Sequence, residues 1–256
     1  HFIGIGGISM SGLAEILLKE GFTVSGSDTK ESPLTKKLVS EGAHIIYGQK
    51  AENITRDIGC VVYTAAINRN NPELIEAVAL KIPMLTRAEL LGQLMKNYDT
   101  PIAVSGTHGK TTTTSMISHI LLEGDLDPTI SVGGILKAIG GNIRVGNSGT
   151  FITEACEYTN SFLHFFPKIS VILNIEEDHL DFFKDLEDIR HSFHQFAELL
   201  PEDGTLIINA EIKDYAEIYE GLSCNVVTYG TNGCFDYSAK NITYDENGHV
   251  AFDLFR

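Results

Sequence analysis

The stretch Val104-Ser-Gly-Thr-His-Gly-Lys-Thr-Thr112 decides how the rest of this sequence is read. An apolar run, Ile102–Ser105, reads as a β-strand; a glycine-bearing turn follows, and a helical pattern then covers Thr111–Leu122. Glycines let a backbone wrap so that several N–H groups face one anion, beside the positive end of a helix dipole. In that frame Gly106, Thr107, His108, Gly109, Lys110, Thr111 and Thr112 form a phosphate loop. Lys110 reaches β- and γ-phosphates and the Thr111 hydroxyl ligates Mg²⁺. The pattern is a shortened one. The full motif has a glycine five residues before the Gly-Lys pair, where Val104 stands; Gly106 comes three before it instead. An incidental glycine-rich turn is the alternative, and the seat between strand and helix weighs against it.

Downstream, strands read at Phe151–Thr153, Ile169–Asn174 and Leu206–Asn209. Leu186, Ile189, Phe193, Phe196 and Leu200 recur at spacings of three and four, one face of a helix. Glu154 ends one strand and His179 follows another, the edge at which α/β sheets hold ligands. With Thr111 they are the candidate metal ligands, although each taken alone reads as an ordinary surface residue. Further on, Asp236–Tyr244 and His249–Phe255 flank Asn247-Gly248, a two-residue hairpin signal.

Upstream, apolar runs and helical patterns alternate. Phe2–Ile5 leads into a helix over Ser9–Lys19, and Phe22–Ser25 into one over Pro33–Ser40. His44–Tyr47 and Cys60–Thr64 read as strands, and Pro72–Leu80 as a helix capped by Asn71. This alternation predicts a parallel sheet covered by helices. The polar segment Lys96–Pro101 marks a boundary, so two domains are expected, residues 1–98 and 99–256. The fold class is α/β: a Rossmann-like N-terminal domain, then a phosphate-loop α/β central domain that is incomplete. The cluster Gly4-Ile-Gly6-Gly7-Ile-Ser9-Met10-Ser11-Gly12, with Asp28 at 24 residues from Gly4, approaches a dinucleotide fingerprint, but Ser9 replaces its third glycine. A nicotinamide cofactor, the diphosphate of a nucleotide sugar, and tight strand–helix packing without ligand all fit it.

Composition narrows the classes. The 256 residues are 43% hydrophobic and 21% charged, with 19 Lys+Arg against 34 Asp+Glu, a net charge of −15. So acidic a surface argues against nucleic-acid and anionic-membrane partners. Four cysteines without metal-ligand spacing fit a reducing cytoplasm. No apolar run approaches the roughly 20 residues of a membrane span, and no signal-peptide pattern is read. The chain opens on His1 and closes on an alternating run, so both ends are expected to be cuts.

With two glycine loops about a hundred residues apart, the sequence resembles the Mur ligase family. The strings G-I-G-G-I-S-M-S-G-L-A-E, N-P-E-L-I-E-A, T-R-A-E-L-L and S-G-T-H-G-K-T-T-T-T-S-M-I carry the resemblance, which spans essentially the whole chain. It implies the branch that joins L-alanine to UDP-N-acetylmuramate with ATP and Mg²⁺, in cell-wall peptidoglycan synthesis. Gly6, Gly7, Ser9, Met10 and Ser11 would then lie near the UDP diphosphate, and Asp28, Thr64 and Arg87 would line the same cleft. Gly106 to Thr112 would hold ATP, Lys110 acting on the phosphates; Thr111 and Glu154 would hold the first metal and His179 the second. Chemistry would pass through an acyl phosphate that the alanine amine attacks. A third domain and the adenine contacts are expected beyond Arg256, so this chain alone is expected to bind without turnover. Oligomeric state is not legible.

The sequence departs from the family's pattern where Glu154-Ala-Cys156-Glu157-Tyr158-Thr159 replaces Glu-Ala-Asp-Glu-Ser-Asp. His194 stands about where some relatives carry a modified lysine. Competing readings are a non-catalytic UDP-sugar or nucleotide-binding module, an NAD-dependent dehydrogenase, and a folate-type polyglutamate ligase. The last lacks a use for the opening hundred residues.

Overall fold

Residues 1–64, 66–231 and 233–256 are described by a computed structural model. Five short strands, β1 (Phe2–Ile3), β2 (Ser25–Asp28), β3 (His44–Tyr47), β4 (Val61–Tyr63) and β5 (Met84–Thr86), form a parallel sheet in the order β3-β2-β1-β4-β5. Helices α1 (Ile8–Lys19), α2 (Pro33–Ser40), α3 (Pro72–Ala79) and α4 (Arg87–Met95) connect or follow them. Strand order reverses between β1 and β4, which opens a crevice at the carboxyl ends of those strands. Asn71 caps α3 by accepting from the Glu73 and Leu74 amides, as its sequence position predicted.

A second sheet of nine strands follows. In chain order it comprises β6 (Thr100–Ser105), β7 (Thr129–Leu136), β8 (Gly141–Arg144), β9 (Thr150–Glu154), β10 (Ile169–Ile172), β11 (Thr205–Asn209), β12 (Asn225–Gly230), β13 (Tyr237–Tyr244) and β14 (Val250–Phe255). Helix α5 (Lys110–Glu123) follows β6, and α6 (Leu186–Glu198) precedes β11. The spatial order is β14-β13-β12-β11-β10-β6-β9-β7-β8. Only β8 and β14 run antiparallel to their neighbours among the described pairs. Ala103, Val104 and Ser105 are fully buried, as expected of a central parallel strand covered on both faces. Because β10 and β9 flank β6 in register, the loops leaving all three strands emerge along one edge.

Several expectations shift. The strand read at Phe22–Ser25 is observed at Ser25–Asp28: the Phe22 amide donates to Leu17 O and closes α1, leaving Phe22 57% exposed. The strand read at Ile169–Asn174 stops at Ile172 and frees Asn174 for the loop beyond. The two-residue hairpin is a longer turn. The Asp245 amide donates to His249 O and Gly248 N to Asp245 O, with Gly248 at φ 80°, the three-residue arrangement with a left-handed glycine. The sequence reading also missed β5, α4, β12 and the β7–β8 hairpin. All four cysteines are free, and among the described residues no helix is long and apolar enough to cross a membrane.

The two halves approach closely at two glycines of the covering helices. A Cβ on Gly12 of α1 would lie 2.2 Å from Ile143 of β8, and one on Gly92 of α4 would lie 1.9 Å from the His164 carbonyl oxygen. Any side chain there would push the halves apart.

Candidate functional site

Six α-helices are described, and four begin with a side-chain cap: Ser32, Asn71, Thr86 and Asp185 each accept from a first-turn amide. The helices α1 and α5 have none; Gly7 and Gly109 stand at their N-caps. Their first-turn N–H groups are therefore left without an intrahelical or capping partner. These are the two helix starts that the sequence assigned to phosphates.

The loop from β6 to α5 is held from one side by the segment after β10. Asn174 accepts from the Thr107 amide through its carbonyl (3.1 Å) and from the His108 amide through its side-chain oxygen (2.7 Å). Its amide nitrogen donates back to His108 O at 3.1 Å. The Thr107 hydroxyl accepts from Glu176 N at 2.9 Å. Gly106, at φ +143°, lies so close to this segment that a Cβ would meet Leu173 Cβ at 2.9 Å; Gly109, at φ +81°, turns the chain into the helix. Thr111 and Thr112 are exposed at the helix start. Lys110 folds back over the loop, donating to Gly106 O (2.6 Å) and Thr107 O (3.2 Å) and pairing with both oxygens of Glu157 (3.1 and 2.9 Å).

Acidic and imidazole groups gather on either side of Lys110 and Thr111. The Thr111 hydroxyl donates to Glu154 Oε2 at 2.9 Å, and the Gly133 amide of β7 donates to Glu154 Oε1 at 2.5 Å. A Cβ on Gly133 would meet that carboxylate at 2.9 Å, so a side chain there would make Glu154 shift. Glu157, 2% exposed, lies between Lys110 and His179, whose Nε2 is 3.8 Å away. Ligand atoms of Glu157, Asp178 and His179 all lie within 4.8 Å of one another. The His179 ring packs on Tyr158 at 4.5 Å between centroids; Tyr158 donates its hydroxyl to Asp181, which holds the phenol above its ordinary pKa. Thr111 and Glu154 offer hard oxygens that suit Mg²⁺, and the carboxylate–imidazole set at His179 suits a second divalent ion, so these donors fit the metals the sequence implied.

The sequence candidates in the opening half fall into two groups. Gly6 donates its amide to Asp28 Oδ2 at 2.7 Å, which ties the first glycine turn to the end of β2. Gly7 and Ser9 are exposed beside it. Met10 and Ser11 face inward; Met10 offers its backbone amide at the helix start, whereas the Ser11 amide is already engaged by Gly7 O. Thr64 and Arg87, at the ends of β4 and β5, line a cavity of about 380 Å³ together with Cys156, Tyr158, Ser161 and His164 from the second half. The Arg87 guanidinium donates to no described residue, and its burial in this cleft lowers its pKa. Burial, with Glu157 close by, pushes the Cys156 thiol up.

Three residues of the phosphate-loop region were missed as site candidates: Asn174, Asp178 and Gly133. Glu157 was noticed only as a surviving acidic position. Asn174 had a usable signal, an amide side chain just past a strand facing a glycine loop; Gly133 had none, because its role depends on β7 lying beside β9. His194 stands apart from the cluster, with Nδ1 against Ile218 O at 3.1 Å and Nε2 near Glu198.

Comparisons with known proteins agree along the chain. Residues 1–99 match the Mur ligase family, catalytic domain, and residues 104–255 match the Mur ligase middle domain. The chain is 63% identical over 256 residues to a UDP-N-acetylmuramate--L-alanine ligase of Agathobacter rectalis, and 59% identical over 255 residues to one of Lachnospira eligens. It covers 100% and 99% of itself in these matches but spans only 56% of either relative's length. Among solved structures it is similar to the UDP-N-acetylmuramate:L-alanyl-gamma-D-glutamyl-meso-diaminopimelate ligase from Neisseria meningitides (TM-score 0.84, 28% identity, 100% of this chain and 83% of that one). It is also similar to the UDP-N-acetylmuramate-alanine ligase from Thermotoga maritima (TM-score 0.78, 30% identity, 95% and 55%).

Proposed function

This chain belongs to the Mur ligase family, and on that premise we propose that it is the UDP-sugar- and ATP-binding part of a UDP-N-acetylmuramate–L-alanine ligase of peptidoglycan synthesis. The observation that carries the reading is the convergence, at one uncapped helix start, of Lys110, Thr111, Glu154, Glu157 and His179. In this reading residues 1–98 hold the UDP-sugar and residues 99–256 hold ATP, in a reducing cytoplasm.

A muramate carboxylate is a poor acyl donor because its leaving group would be oxide. Attack of that carboxylate on the γ-phosphorus of ATP forms a C–O–P link and releases ADP. The alanine amine then attacks the acyl carbon, and phosphate leaves with the electron pair of the C–O bond. The protein's share is positioning and charge compensation. First-turn amides of α5 and the Lys110 ammonium face the terminal phosphates. Amides at the start of α1, with the Gly6 turn fixed by Asp28, face the UDP diphosphate. Arg87 and Thr64 line a cavity shared with Cys156 and Tyr158 of the second half, which would take the muramyl arm toward Lys110. Thr111 with Glu154, and His179 with Glu157 and Asp178, would hold two divalent cations, which when bound offset charge on the transferring phosphoryl oxygens.

Because the chain spans about half the length of its curated relatives, binding without turnover is the expected behaviour of these 256 residues by themselves. Calorimetry with UDP-N-acetylmuramate, paired with a phosphate-release assay containing ATP and L-alanine, tests both halves of that statement. Heat of binding without phosphate release is expected. No UDP-sugar binding sinks the assignment of the opening half, and amide product from the chain alone sinks the division of labour.

A further inference from the structure

We propose that Glu157 is a positioning residue that exchanges partners: it either pairs with the Lys110 ammonium or shares a divalent cation with His179 and Asp178, so that cation and phosphate bind as a coupled pair. The inference rests on the phosphate-loop reading above and deepens it.

An ammonium group has three N–H donors. Those of Lys110 are all engaged, by Gly106 O at 2.6 Å, Thr107 O at 3.2 Å and the Glu157 carboxylate at 2.9 Å. A phosphate oxygen therefore gains a Lys110 donor only by displacing one of these acceptors. The two carbonyls belong to the loop and close its turn. The carboxylate is the one acceptor that carries charge and that has a second cationic position beside it.

Departure of Lys110 has a consequence for Glu157. The residue is 2% exposed, so the carboxylate would be left desolvated and uncompensated, a costly state. His179 Nε2 lies 3.8 Å from Glu157 Oε1, and Asp178 completes a set of ligand atoms within 4.8 Å. A divalent ion at that position restores charge balance as Lys110 turns to phosphate. The backbone holds this arrangement at a conformational cost. His179 (φ 52°), Thr159 (φ 54°) and Asn160 (φ 56°) are non-glycine residues in the left-handed region. A tilted ring contact with Tyr158, 4.5 Å between centroids, backs the imidazole. By linkage, whatever a cation does for phosphate affinity, phosphate does equally for cation affinity.

Inorganic triphosphate is the probe, because it reports on the loop without needing adenine contacts. The 256-residue chain is titrated calorimetrically in chelator and again with Mn²⁺, corrected for the metal–triphosphate complex formed in solution. Wild type should bind triphosphate on the order of tenfold more tightly with Mn²⁺. E157Q should bind it more tightly than wild type in chelator, because Lys110 is no longer neutralised, and should gain less from Mn²⁺ than wild type does, keeping only the gain from an ion at Thr111 and Glu154. In a separate arm without phosphate, Lys110→Met should raise Mn²⁺ affinity, read by electron paramagnetic resonance, because Glu157 has lost its competitor; this arm decides alone should E157Q not fold. A purely structural Glu157 would instead weaken binding in both media. E157Q binding no more tightly in chelator, or unchanged Mn²⁺ affinity in Lys110→Met, overturns the exchange while leaving the phosphate loop intact. Absence of triphosphate binding by wild type in either medium overturns the loop reading itself, and the exchange with it.

Discussion

The turn from β1 to α1 and the turn from β6 to α5 share a backbone plan: parallel strand, glycines, and a helix start with no side-chain cap. What surrounds them differs. Around the second stand Lys110, Thr111, Glu154, Glu157 and His179, which carry charge and metal-ligand chemistry. Around the first, Gly6 is tied to Asp28, Met10 and Ser11 turn inward, and Gly12 is pressed against Ile143. A helix start alone offers amides and a partial positive charge, enough to hold a diphosphate. Chemistry on a phosphate needs in addition groups that follow the developing charge. Under the proposed function one plan would thus serve for holding and for reacting, with the side chains brought in from neighbouring strands making the difference.

The largest expected effect tests that division directly. Lys110→Ala in the full-length enzyme should lower ligation at least about a hundredfold, as loss of a donor to developing charge does, with an unchanged circular dichroism spectrum. Turnover close to wild type would mean that the second turn only holds, like the first. Next, Gly106 of the second turn and Gly7 of the first should differ in their need for glycine, whereas Gly4, at φ +80°, shares that need. Gly106→Ala, at φ +143° and with Leu173 Cβ 2.9 Å from the new methyl group, should cost about 1–3 kcal/mol in denaturant unfolding and weaken triphosphate binding. Equal tolerance at Gly106 and Gly7 would remove the contrast, because Gly7→Ala has φ −65° and no contact under 3.5 Å, and should stay within about 0.5 kcal/mol.

A smaller effect probes the scaffold under the first turn. Glu73 is buried and accepts from Ser27 of β2 at 2.5 Å and from Asn53 at 2.6 Å. Burial alone would raise its pKa, but hydrogen bonds with His1, Ser27 and Asn53 carry it below the ordinary 4.5. A lowered carboxyl pKa means stability fully present above pH 4.5 and lost as pH falls through the lowered value. Glu73→Gln should cost on the order of 1 kcal/mol near neutrality, with the gap to wild type narrowing below pH 4.5. A gap that is constant with pH would show that the charge of Glu73 contributes nothing to holding β2.

Most elements were legible because their signals are local. Pro33–Ser40 and His44–Tyr47 were read with the observed bounds, and Asn71 with its observed cap. The misses have physical causes. The strand β2 is Ser-Gly-Ser-Asp, polar in sequence yet with Gly26 and Ser27 buried, because Ser27 meets Glu73 inside; a search for apolar runs settled on its neighbour Phe22–Ser25. The hairpin β7–β8 is glycine-rich and carries little pattern of either kind. At the site, the glycine loop, Lys110, Thr111, Glu154 and His179 were all named from position relative to strand ends. The partnership of Glu157 with Lys110, 47 residues apart, was not.

The sequence by itself determined which segments become strands and helices around the two glycine turns, and that one turn carries a lysine and a threonine fit for phosphates. Those outcomes follow from backbone propensity, glycine's access to positive φ and helix-start geometry, all set within a few residues. Only the tertiary structure decided that β10 and β9 flank β6, so that Asn174 braces the loop, Gly133 reaches Glu154, and Glu157 is buried between Lys110 and His179. Strand order is set by packing of the whole sheet and its covering helices, and no local pattern encodes which carboxylate ends up next to which ammonium.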